Sequence, residues 1–245
     1  MRIVRFEHLG RMDYQSAWDY QELLLKENVD LKSTHRINEL PGLAETKDHL
    51  LFVEHPPVYT LGKSGHLENL LLTEDELNQK AIQFFKTNRG GDITFHGQGQ
   101  LVGYPILDLE HYQTDIGRYL RNLEEVIIKT IAHYGIKGER SPGETGVWLD
   151  VETKGRARKI CAMGVRCSRW ITMHGFALNV NTDLGFFRNI VPCGITDKDV
   201  TSIAAETGAE IPMQETERLL RRYFEEVFHV QLELTSQFSE SPGNA

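Results

Sequence analysis

The run from residue 89 to residue 105 constrains this chain most, because its composition suits neither a regular strand nor a regular helix. It reads RGGDITFHGQGQLVGYP and holds five glycines, one arginine, one histidine and two glutamines. Glycine loses much conformational freedom on folding and weakens a strand, so it is typical of positions where backbone turns sharply or approaches another group. We therefore expect close backbone approach in this run, with Arg89 and His96 held beside it.

Known phosphate-binding loops do not fit this run. A dinucleotide fingerprint needs G-x-G-x-x-G at the start of a helix, whereas Gly97, Gly99 and Gly103 are spaced G-x-G-x-x-x-G and precede the strand-like LVGYPILDL. A P-loop needs a lysine after its last glycine, and no lysine lies between Lys86 and Lys129. From the residues alone, two interpretations stay open: a tight hairpin with two bulges, or a loop that binds a ligand.

Composition narrows the class of protein. The 245 residues include 40% hydrophobic and 25% charged residues, and the formal net charge of -8 disfavours general affinity for nucleic acid. We see no signal-peptide core at the N-terminus and no stretch near the ~20 apolar residues of a membrane span. Three cysteines without an export signal favour free thiols in a reducing cytoplasm. The ten histidines and three cysteines form no H-x-x-x-H or C-x-x-C motif, so no metal site is predicted.

Periodicity predicts an α+β domain in which strands and helices are partly segregated. Helices are predicted over residues 13–27, after a capping box at Thr73-x-x-Glu76, from Asp115 to about Gly135, and over residues 215–228. Strands are predicted over residues 146–151, 159–165 and 170–180, the last with Trp170, Thr172, His174, Phe176 and Leu178 on one face. Residues 28–48 are predicted to form a loop and residues 236–245 a disordered tail. Since no repeat or linker divides it, the chain is interpreted as one domain, residues 1–245.

Two further positions carry potential chemistry. Cys193 lies in I-V-P-C-G-I, in a turn before a predicted helix, where a thiolate is favoured. The alternative is a small buried apolar side chain, the commoner fate of a free cysteine. Lys159 lies in R-K-I-C-A-M-G-V. It is either a functional lysine or an ordinary surface lysine. Cys161 and Cys167 are interpreted as structural.

Taken together, these stretches resemble the lipoyl(octanoyl) transferase family, the octanoyl-carrier-protein to protein N-octanoyltransferases. The matching stretches, in the family's order, are EHPPVYTLG from residue 54, RGGDITFHGQGQLVGYP from 89, GVWLD from 146, KICAMGV from 159, SRWITMHGFALNV from 168 and VPCGI from 191. They cover about residues 50–208. The combination of R-G-G-x-x-T-x-H-G-x-G-Q with P-C-G-I is specific to this family.

The resemblance implies a fold similar to the catalytic domain of biotin and lipoate protein ligases, a mixed sheet with helices packed on one side. It implies that Cys193 carries the acyl thioester and that Lys159 lowers the pKa of this thiol. It also implies that three stretches bind the acyl chain: Arg89, Gly90, Gly91, Asp92, Ile93, Thr94, Phe95 and His96; Ala162, Met163 and Gly164; and Gly175, Phe176 and Ala177.

The glycines of these stretches, together with Gly97 and Gly99, are expected to leave room for the chain. Cys161 is expected to lie outside the acyl pocket. Because Lys159 and Ala162 differ in parity along a strand, a local bulge is needed if both face the site.

The chain departs from the family's pattern at a few positions. Phe95 stands where tyrosine is common, Gln98 where proline is common, and Cys161 where alanine is common. Phe95 lacks the tyrosine hydroxyl, so no side-chain hydrogen bond is expected from that position. Residues 28–48 resemble an insertion relative to shorter members.

The implied activity is transfer of an octanoyl group from octanoyl-acyl carrier protein to the lysine of lipoyl domains, in the 2-oxo acid dehydrogenases and the glycine-cleavage carrier protein. The donor is already activated, so neither ATP nor a cofactor is expected, and the expected location is the cytoplasm.

His96 is given a positioning role, and it is the alternative to Lys159 as the base. A basic patch for an acidic carrier protein is expected at Lys154, Arg156, Arg158, Arg166 and Arg169, with a solvated loop as the alternative.

Two alternative functions stay open. An ATP-dependent lipoate or biotin ligase on the same fold would adenylate a free acid and would not need Cys193. A non-catalytic protein that binds lipoyl domains would not need Cys193 and Lys159 together.

Overall fold

The fold is known from a computed structural model that describes residues 1–191 and 199–235. The strands are β1 (Arg2–Arg11), β2 (Asp48–Glu54), β3 (Val58–Leu61), β4 (Gln83–Lys86), β5 (Ile93–His96), β6 (Gln100–Ile106), β7 (Val147–Leu149), β8 (Arg158–Ser168), β9 (Ile171–Asn179), β10 (Asp199–Val200) and β11 (Val230–Leu234). The helices are α1 (Tyr14–Ile37), α2 (Glu74–Gln79), α3 (Ile116–Ala132), α4 (Ile203–Thr207) and α5 (Met213–Phe228). Within the described residues, the helices are too short or too polar to cross a membrane.

The strands form a large and a small sheet. The large sheet has the order β10-β8-β9-β6-β2-β1-β11, with β7 also paired to β8, and the small sheet has the order β4-β3-β5. The large sheet is mixed: β1 runs parallel to β2 and β11, whereas β6 is antiparallel to β2 and β9. The predicted α+β class with a mixed sheet is therefore confirmed.

Both faces of the large sheet are covered by helices. Leu50 and Phe52 of β2 pack with α3 and α5, whereas Leu51 and Val53 pack with α1. Successive strand residues point to opposite faces, so the continuous apolar run of β2 supplies both layers. The expectation of helices on one side only is wrong, because α1 covers the second face.

Helix α1 is the largest difference from the predicted elements. It continues to Ile37, through residues that were predicted to form a loop. Polar contacts hold the second half of α1 in place, where most helices would use an apolar stripe. Asn28 exchanges two hydrogen bonds of 2.8 Å with the backbone of Lys47, and the Lys32 ammonium lies 3.0 Å from an Asp108 carboxylate oxygen. A periodicity test measures apolar spacing, so it does not detect a helix of this kind.

The other predicted elements are present with small changes at their ends. Thr73 and Glu76 form the predicted capping box of α2, and Asp115 caps α3. Strands β7, β8 and β9 occupy the three predicted strand regions, and α5 begins two residues before the predicted start. The predicted tail, residues 236–245, lies outside the described residues.

The glycine-rich run passes from one sheet to the other. Its first strand, β5, pairs with β3 of the small sheet, and its second strand, β6, pairs with β2 and β9 of the large sheet. The hairpin interpretation is therefore wrong, because β5 and β6 are not partners. The crossing point at Gly99 is tightly held: its carbonyl accepts from the backbone N–H groups of Val180 and Asn181, and its N–H donates to Glu54.

Replacement of Gly99 by alanine should destabilise the fold strongly. Gly99 has φ +74°, and a Cβ there would lie 2.7 Å from the backbone of Asn181. Gly155→Ala is the matched control, since Gly155 has φ +73° and open space around it. We expect about 1 kcal/mol of lost unfolding free energy for Gly155→Ala from backbone strain alone, and about 2 kcal/mol more for Gly99→Ala from the collision. Urea denaturation measures both, and equal losses would show that the crossing point is not crowded.

Candidate active site

A cavity of about 310 Å³ lies between the two sheets, within the size range of small-ligand sites. The large sheet supplies its floor through alternate residues of three neighbouring strands. These residues are Gln100, Val102 and Tyr104 of β6, Ala162 and Gly164 of β8, and Gly175, Ala177 and Asn179 of β9. The small sheet, α1 and a loop at residues 143–145 supply the walls.

The three stretches implied by the resemblance meet at this cavity. Thirteen of the fifteen described candidates line it: Arg89, Gly91, Asp92, Ile93, Thr94, His96, Lys159, Ala162, Met163, Gly164, Gly175, Phe176 and Ala177. Two do not. The backbone N–H of Gly90 donates to Val165 of β8, and Phe95 points into the core of the small sheet, where its ring stacks on Phe186 at 4.5 Å. The position that lacks the tyrosine hydroxyl is thus an apolar packing position.

A bulge places Lys159 on the same cavity as Ala162. Val147 pairs with Cys161, but Trp148 pairs with Lys159, so one extra residue, Ile160, is accommodated on β8. A bulge of this kind reverses the alternation that follows it. Lys159 and Ala162 therefore both line the cavity, while Cys161 is fully buried in the core on the far side. The predicted bulge and the exclusion of Cys161 from the cavity are confirmed.

The glycines of the run do not all make room for a ligand. A Cβ at Gly97 would meet the Phe95 ring at 2.4 Å, and a Cβ at Gly99 would meet backbone, so both serve the crossing between sheets. Gly91 lines the cavity and has φ +84°, which favours glycine. Gly164 also lines the cavity, but its Cβ would lie 2.6 Å from the Gly90 carbonyl oxygen. The expectation of open acyl space is therefore wrong for Gly97, where the Phe95 ring is the close neighbour, and for Gly99 and Gly164, where backbone is. It is also wrong for Gly175, whose Cβ would lie 2.2 Å from the Gly103 carbonyl oxygen, and for Gly90, which does not line the cavity.

Arg89 is a buried cation in the cavity wall. Its guanidinium donates to the carbonyl oxygen of Thr60 at 2.6 Å, to the Thr60 hydroxyl at 2.9 Å and to the Gly90 carbonyl oxygen at 3.0 Å. These bonds connect β3 of the small sheet to the loop that crosses over β8. The arginine thus fixes one wall of the cavity and brings a positive charge to it.

His96 has a fixed tautomer. Gln100 donates from its amide nitrogen to the Phe95 carbonyl oxygen and to Asn179 Oδ1, so its amide oxygen is the acceptor at 2.8 Å from His96 Nδ1. His96 Nδ1 therefore carries the hydrogen, and Nε2 accepts from the Thr60 hydroxyl at 3.4 Å. Burial, followed by the charge of neighbouring groups, holds the pKa of His96 well below its usual value. A neutral, weakly basic imidazole suits a positioning role better than a role as base.

His174 joins the cavity wall against the predicted pattern. Alternation predicted it on the face of Phe176 and Leu178, but its φ of +56° turns it to the opposite face. Its backbone N–H donates to Gln21 of α1, and its ring lies 6.5 Å from that of Tyr104. The prediction for His174 is wrong because alternation assumes regular strand backbone, and a non-glycine residue with positive φ is a local exception.

Three buried histidines should make the protein sensitive to acid. Burial lowers the pKa of His55 to about 4 and of His174 to about 3, and it also lowers that of His96. The unfolded chain binds these protons below about pH 6.5, so unfolding free energy should fall as the pH drops from 7 to 5. Each histidine contributes up to about 1.4 kcal/mol per pH unit.

Urea denaturation at several pH values measures this slope. His55→Gln should reduce it by about a third, whereas His66→Gln, at an exposed position, should leave it unchanged. A pH-independent stability between 7 and 5 would contradict the neutral state of the three rings.

Several cavity residues were not among the candidates. Tyr14, Gln100, Tyr104, Glu144, Thr145, His174 and Asn179 all line it. Gln100 and Tyr104 each lie two residues from Val102, on the same face of β6, so alternation along this strand was the signal that could have identified them. Tyr14 and Glu144 lie on other elements, and only the tertiary structure brings them here.

The cysteines are distributed as follows. Cys193 lies outside the described residues, with its neighbours 192–198. The start of the helix that was predicted after Cys193 lies outside the described residues as well, and the next described helix, α4, begins at Ile203. Burial raises the pKa of the Cys161 and Cys167 thiols, which disfavours their thiolates.

The predicted basic patch is divided. Lys154 and Arg156 lie on an exposed turn before β8, whereas Arg166 and Arg169 lie at the other end of that strand, more than about 20 Å away along β8. Arg158 donates to Asp150 and to Glu206, and Arg166 donates to Glu22 at 2.6 Å. A single patch of five free cations is therefore not present.

Comparison with known proteins identifies the family. The family model of the lipoyl protein ligase A/B catalytic domain matches residues 13–225. An octanoyltransferase from Christiangramia forsetii is 60% identical over 232 residues, which cover 94% of this chain and 97% of that protein. An octanoyltransferase from Flavobacterium johnsoniae is 62% identical over 207 residues, which cover 84% and 88%.

The fold has solved relatives. A bipartite lipoate protein ligase from Thermoplasma acidophilum superposes with a TM-score of 0.68 at 17% identity, covering 97% of this chain and 89% of that one. At that identity the likeness concerns the fold alone. The chain thus belongs to the lipoyl protein ligase A/B catalytic domain family and, within it, to the octanoyltransferases.

Proposed function

We propose that this protein transfers an octanoyl group from octanoyl-acyl carrier protein to a lysine of lipoyl domains, through a thioester on Cys193. The observation that carries the proposal is the cavity itself: the three implied acyl-binding stretches converge on it and Lys159 lies in its wall. The high identity to octanoyltransferases over almost the whole chain supports the same activity.

The first chemical step is attack of the Cys193 thiolate on the thioester carbonyl carbon of the donor. The new carbon–sulfur bond forms as the bond to the carrier's thiol breaks, and the leaving thiolate takes a proton from the Lys159 ammonium. A positive charge beside Cys193 favours the thiolate. A free thiol with a pKa of ~8.5 is only about 3% ionised at pH 7, so a shift to ~7 makes about half of it reactive, a rise of about 16-fold.

The second step transfers the acyl group to the target amine. The lysine nitrogen attacks the Cys193 thioester, the carbon–nitrogen bond forms, and the Cys193 thiolate leaves. The neutral amine of Lys159, left by the first step, takes the proton that the attacking nitrogen loses. Lys159 thereby regains its charge, and the site returns to its starting state without any other co-reactant.

The cavity's own residues fit an acyl chain with a polar head. Ala162 and Ala177 are register partners on β8 and β9, and Val102 of β6 is the partner of Ala177 on its other side, which gives an apolar lining. Lys159 and Asn179 mark one end of this lining, while Arg89 and His174 mark the other, about five residues further along the strands. We assign His96 a positioning role, through its bond to Gln100.

The acceptors in this proposal are the lipoyl domains of 2-oxo acid dehydrogenases and the glycine-cleavage carrier protein, and the location is the cytoplasm. Residues 1–245 act as one catalytic domain. Of the five predicted cations, Lys154 and Arg156 lie together on an exposed turn, and we assign them the contact with an acidic carrier protein.

Donor choice separates this proposal from an ATP-dependent ligase. Purified protein is mixed with a lipoyl domain and either octanoyl-carrier protein without ATP, or free octanoate with ATP and Mg²⁺. We expect modification of the lipoyl domain in the first mixture and none in the second, measured by intact mass. Modification only in the second mixture would assign a ligase.

A further inference from the structure

Lys159 is held against an aromatic ring. Its ammonium nitrogen lies 4.4 Å from the centroid of the Trp148 ring, and the two residues are register partners between β7 and β8. Trp148 is 3% exposed, so the ring is shielded from solvent. A cation over an indole face at this distance is attracted by the ring quadrupole, and the attraction is stronger where water is excluded.

The strand that carries the Trp148 ring is held by its neighbours. Val147 and Leu149, its neighbours on β7, are buried in the core beneath the large sheet, so alternation turns Trp148 toward Lys159. The backbone of Trp148 exchanges two hydrogen bonds with Glu139, at 2.7 and 2.9 Å. The strand cannot slide past β8 without breaking these contacts.

The start of β7 is fixed as well. Gly146 donates its N–H to the buried carboxylate of Glu124 at 3.1 Å. It has φ +109°, and a Cβ there would lie 2.5 Å from the Cys161 carbonyl oxygen. Glycine and the carboxylate together permit the close approach of β7 to β8 that brings the indole under the ammonium.

We propose that Trp148 is a positioning residue that holds the Lys159 ammonium over its indole face and thereby sets both the place and the charge state of this lysine. The attraction acts on the ammonium and not on the neutral amine, so the ring favours the charged form in the resting protein. That form is the one the first acyl-transfer step requires. The significance for catalysis rests on the proposed function, whereas the contact itself does not.

Other charged groups near Lys159 belong to the elements packed around it. Among the described residues, these groups include Glu144 in the cavity wall, Glu124 on α3, Arg158 with its partners Asp150 and Glu206, and Asp199 on β10. Glu124 is bonded to Arg121 and Arg140. A Trp148 substitution changes none of these charges, so a change in the titration of Lys159 reports on the ring.

Competitive labelling of amines by acetic anhydride tests the proposal. The wild type, Trp148→Phe and Trp148→Leu are labelled from pH 7 to 11, and the Lys159 peptide is quantified by mass spectrometry. We expect the labelling midpoint of Lys159 to fall by about one pH unit in Trp148→Leu, a tenfold rise in reactivity at a fixed lower pH, which equals about 1.4 kcal/mol. Trp148→Phe should lie between, since phenylalanine binds cations less strongly than tryptophan.

Controls make the result specific. The exposed Lys154 in the same digest should keep its midpoint in every variant, and Trp18→Leu should leave the Lys159 midpoint unchanged. A Lys159 midpoint that does not move in a folded Trp148→Leu would overturn the proposal. If that variant does not fold, the series Trp, Tyr and Phe decides: midpoints that follow ring strength support the proposal, and equal midpoints contradict it.

This test is independent of octanoyl transfer. Labelling needs no acyl donor, and it can be repeated in Cys193→Ala. If the midpoint shifts while donor mixing gives no transfer, the proposed function fails and the role of Trp148 in holding Lys159 stands. If transfer occurs while the midpoint stays fixed, the proposed function stands and this inference fails.

Discussion

Cys193→Ala should abolish the covalent octanoyl adduct and lower transfer to a lipoyl domain by about 10³-fold or more, because removal of a nucleophile removes the covalent route. Intact-mass analysis after mixing with octanoyl-carrier protein measures the adduct. Treatment with hydroxylamine, which cleaves a thioester, identifies its chemical type.

The other two cysteines supply the matched controls. Cys161→Ala and Cys167→Ala should both still form the adduct, since burial raises the pKa of these thiols and Cys161 lies in the core. A hydroxylamine-sensitive adduct that persists in Cys193→Ala would show that another residue is the nucleophile.

Substitutions of Lys159 should separate its two proposed roles. Lys159→Arg keeps a positive charge but cannot act as a base near neutral pH, whereas Lys159→Ala removes both functions. We expect the arginine variant to retain more of the thiolate shift of Cys193 than the alanine variant. Both should lose about 10²- to 10⁴-fold in transfer to the target amine, the usual contribution of a general base.

The rate of Cys193 alkylation against pH measures the first effect, and single-turnover transfer to a lipoyl domain measures the second. An unchanged alkylation profile in Lys159→Ala would refute the pairing of Lys159 with Cys193. His96 would then be the remaining candidate base, even though burial holds its pKa well below the usual value.

Much of the fold followed from local signals in the sequence. Helices α3 and α5 carry broad apolar stripes, and α2 has a complete capping box, so each was predictable from a few residues. The second half of α1 was not, because Asn28 and Lys32 hold it by polar contacts with distant residues. Coverage of both sheet faces was also missed, since a buried strand such as β2 shows no alternation.

The residues that line the cavity were predicted more by the family resemblance than by the chemical properties of the single residues. Lys159, Arg89 and His96 were all expected at the acyl-binding site and line this cavity, and a bulge was expected on the condition that Lys159 and Ala162 face one site. Its position at Ile160 comes from the structure. The glycines were expected to leave room for the acyl chain, and this was only partly right. Some of them allow the run to cross between the two sheets, and such a crossing leaves no periodic signal in the sequence. The position of His174 in the cavity wall was not predicted, because a single positive φ turns a side chain to the other face of the sheet without any change in the sequence pattern.

Isolation of the acyl-enzyme tests whether Cys193 carries the octanoyl group between donor and acceptor. The protein is mixed with octanoyl-carrier protein without ATP, separated from the donor, and then given a lipoyl domain. We expect one octanoyl group on the peptide that contains Cys193, and its quantitative movement to the lipoyl-domain lysine in a single turnover. An isolated protein that carries no octanoyl group, or one whose octanoyl group does not move to the lipoyl domain, would rule out the Cys193 thioester as the intermediate.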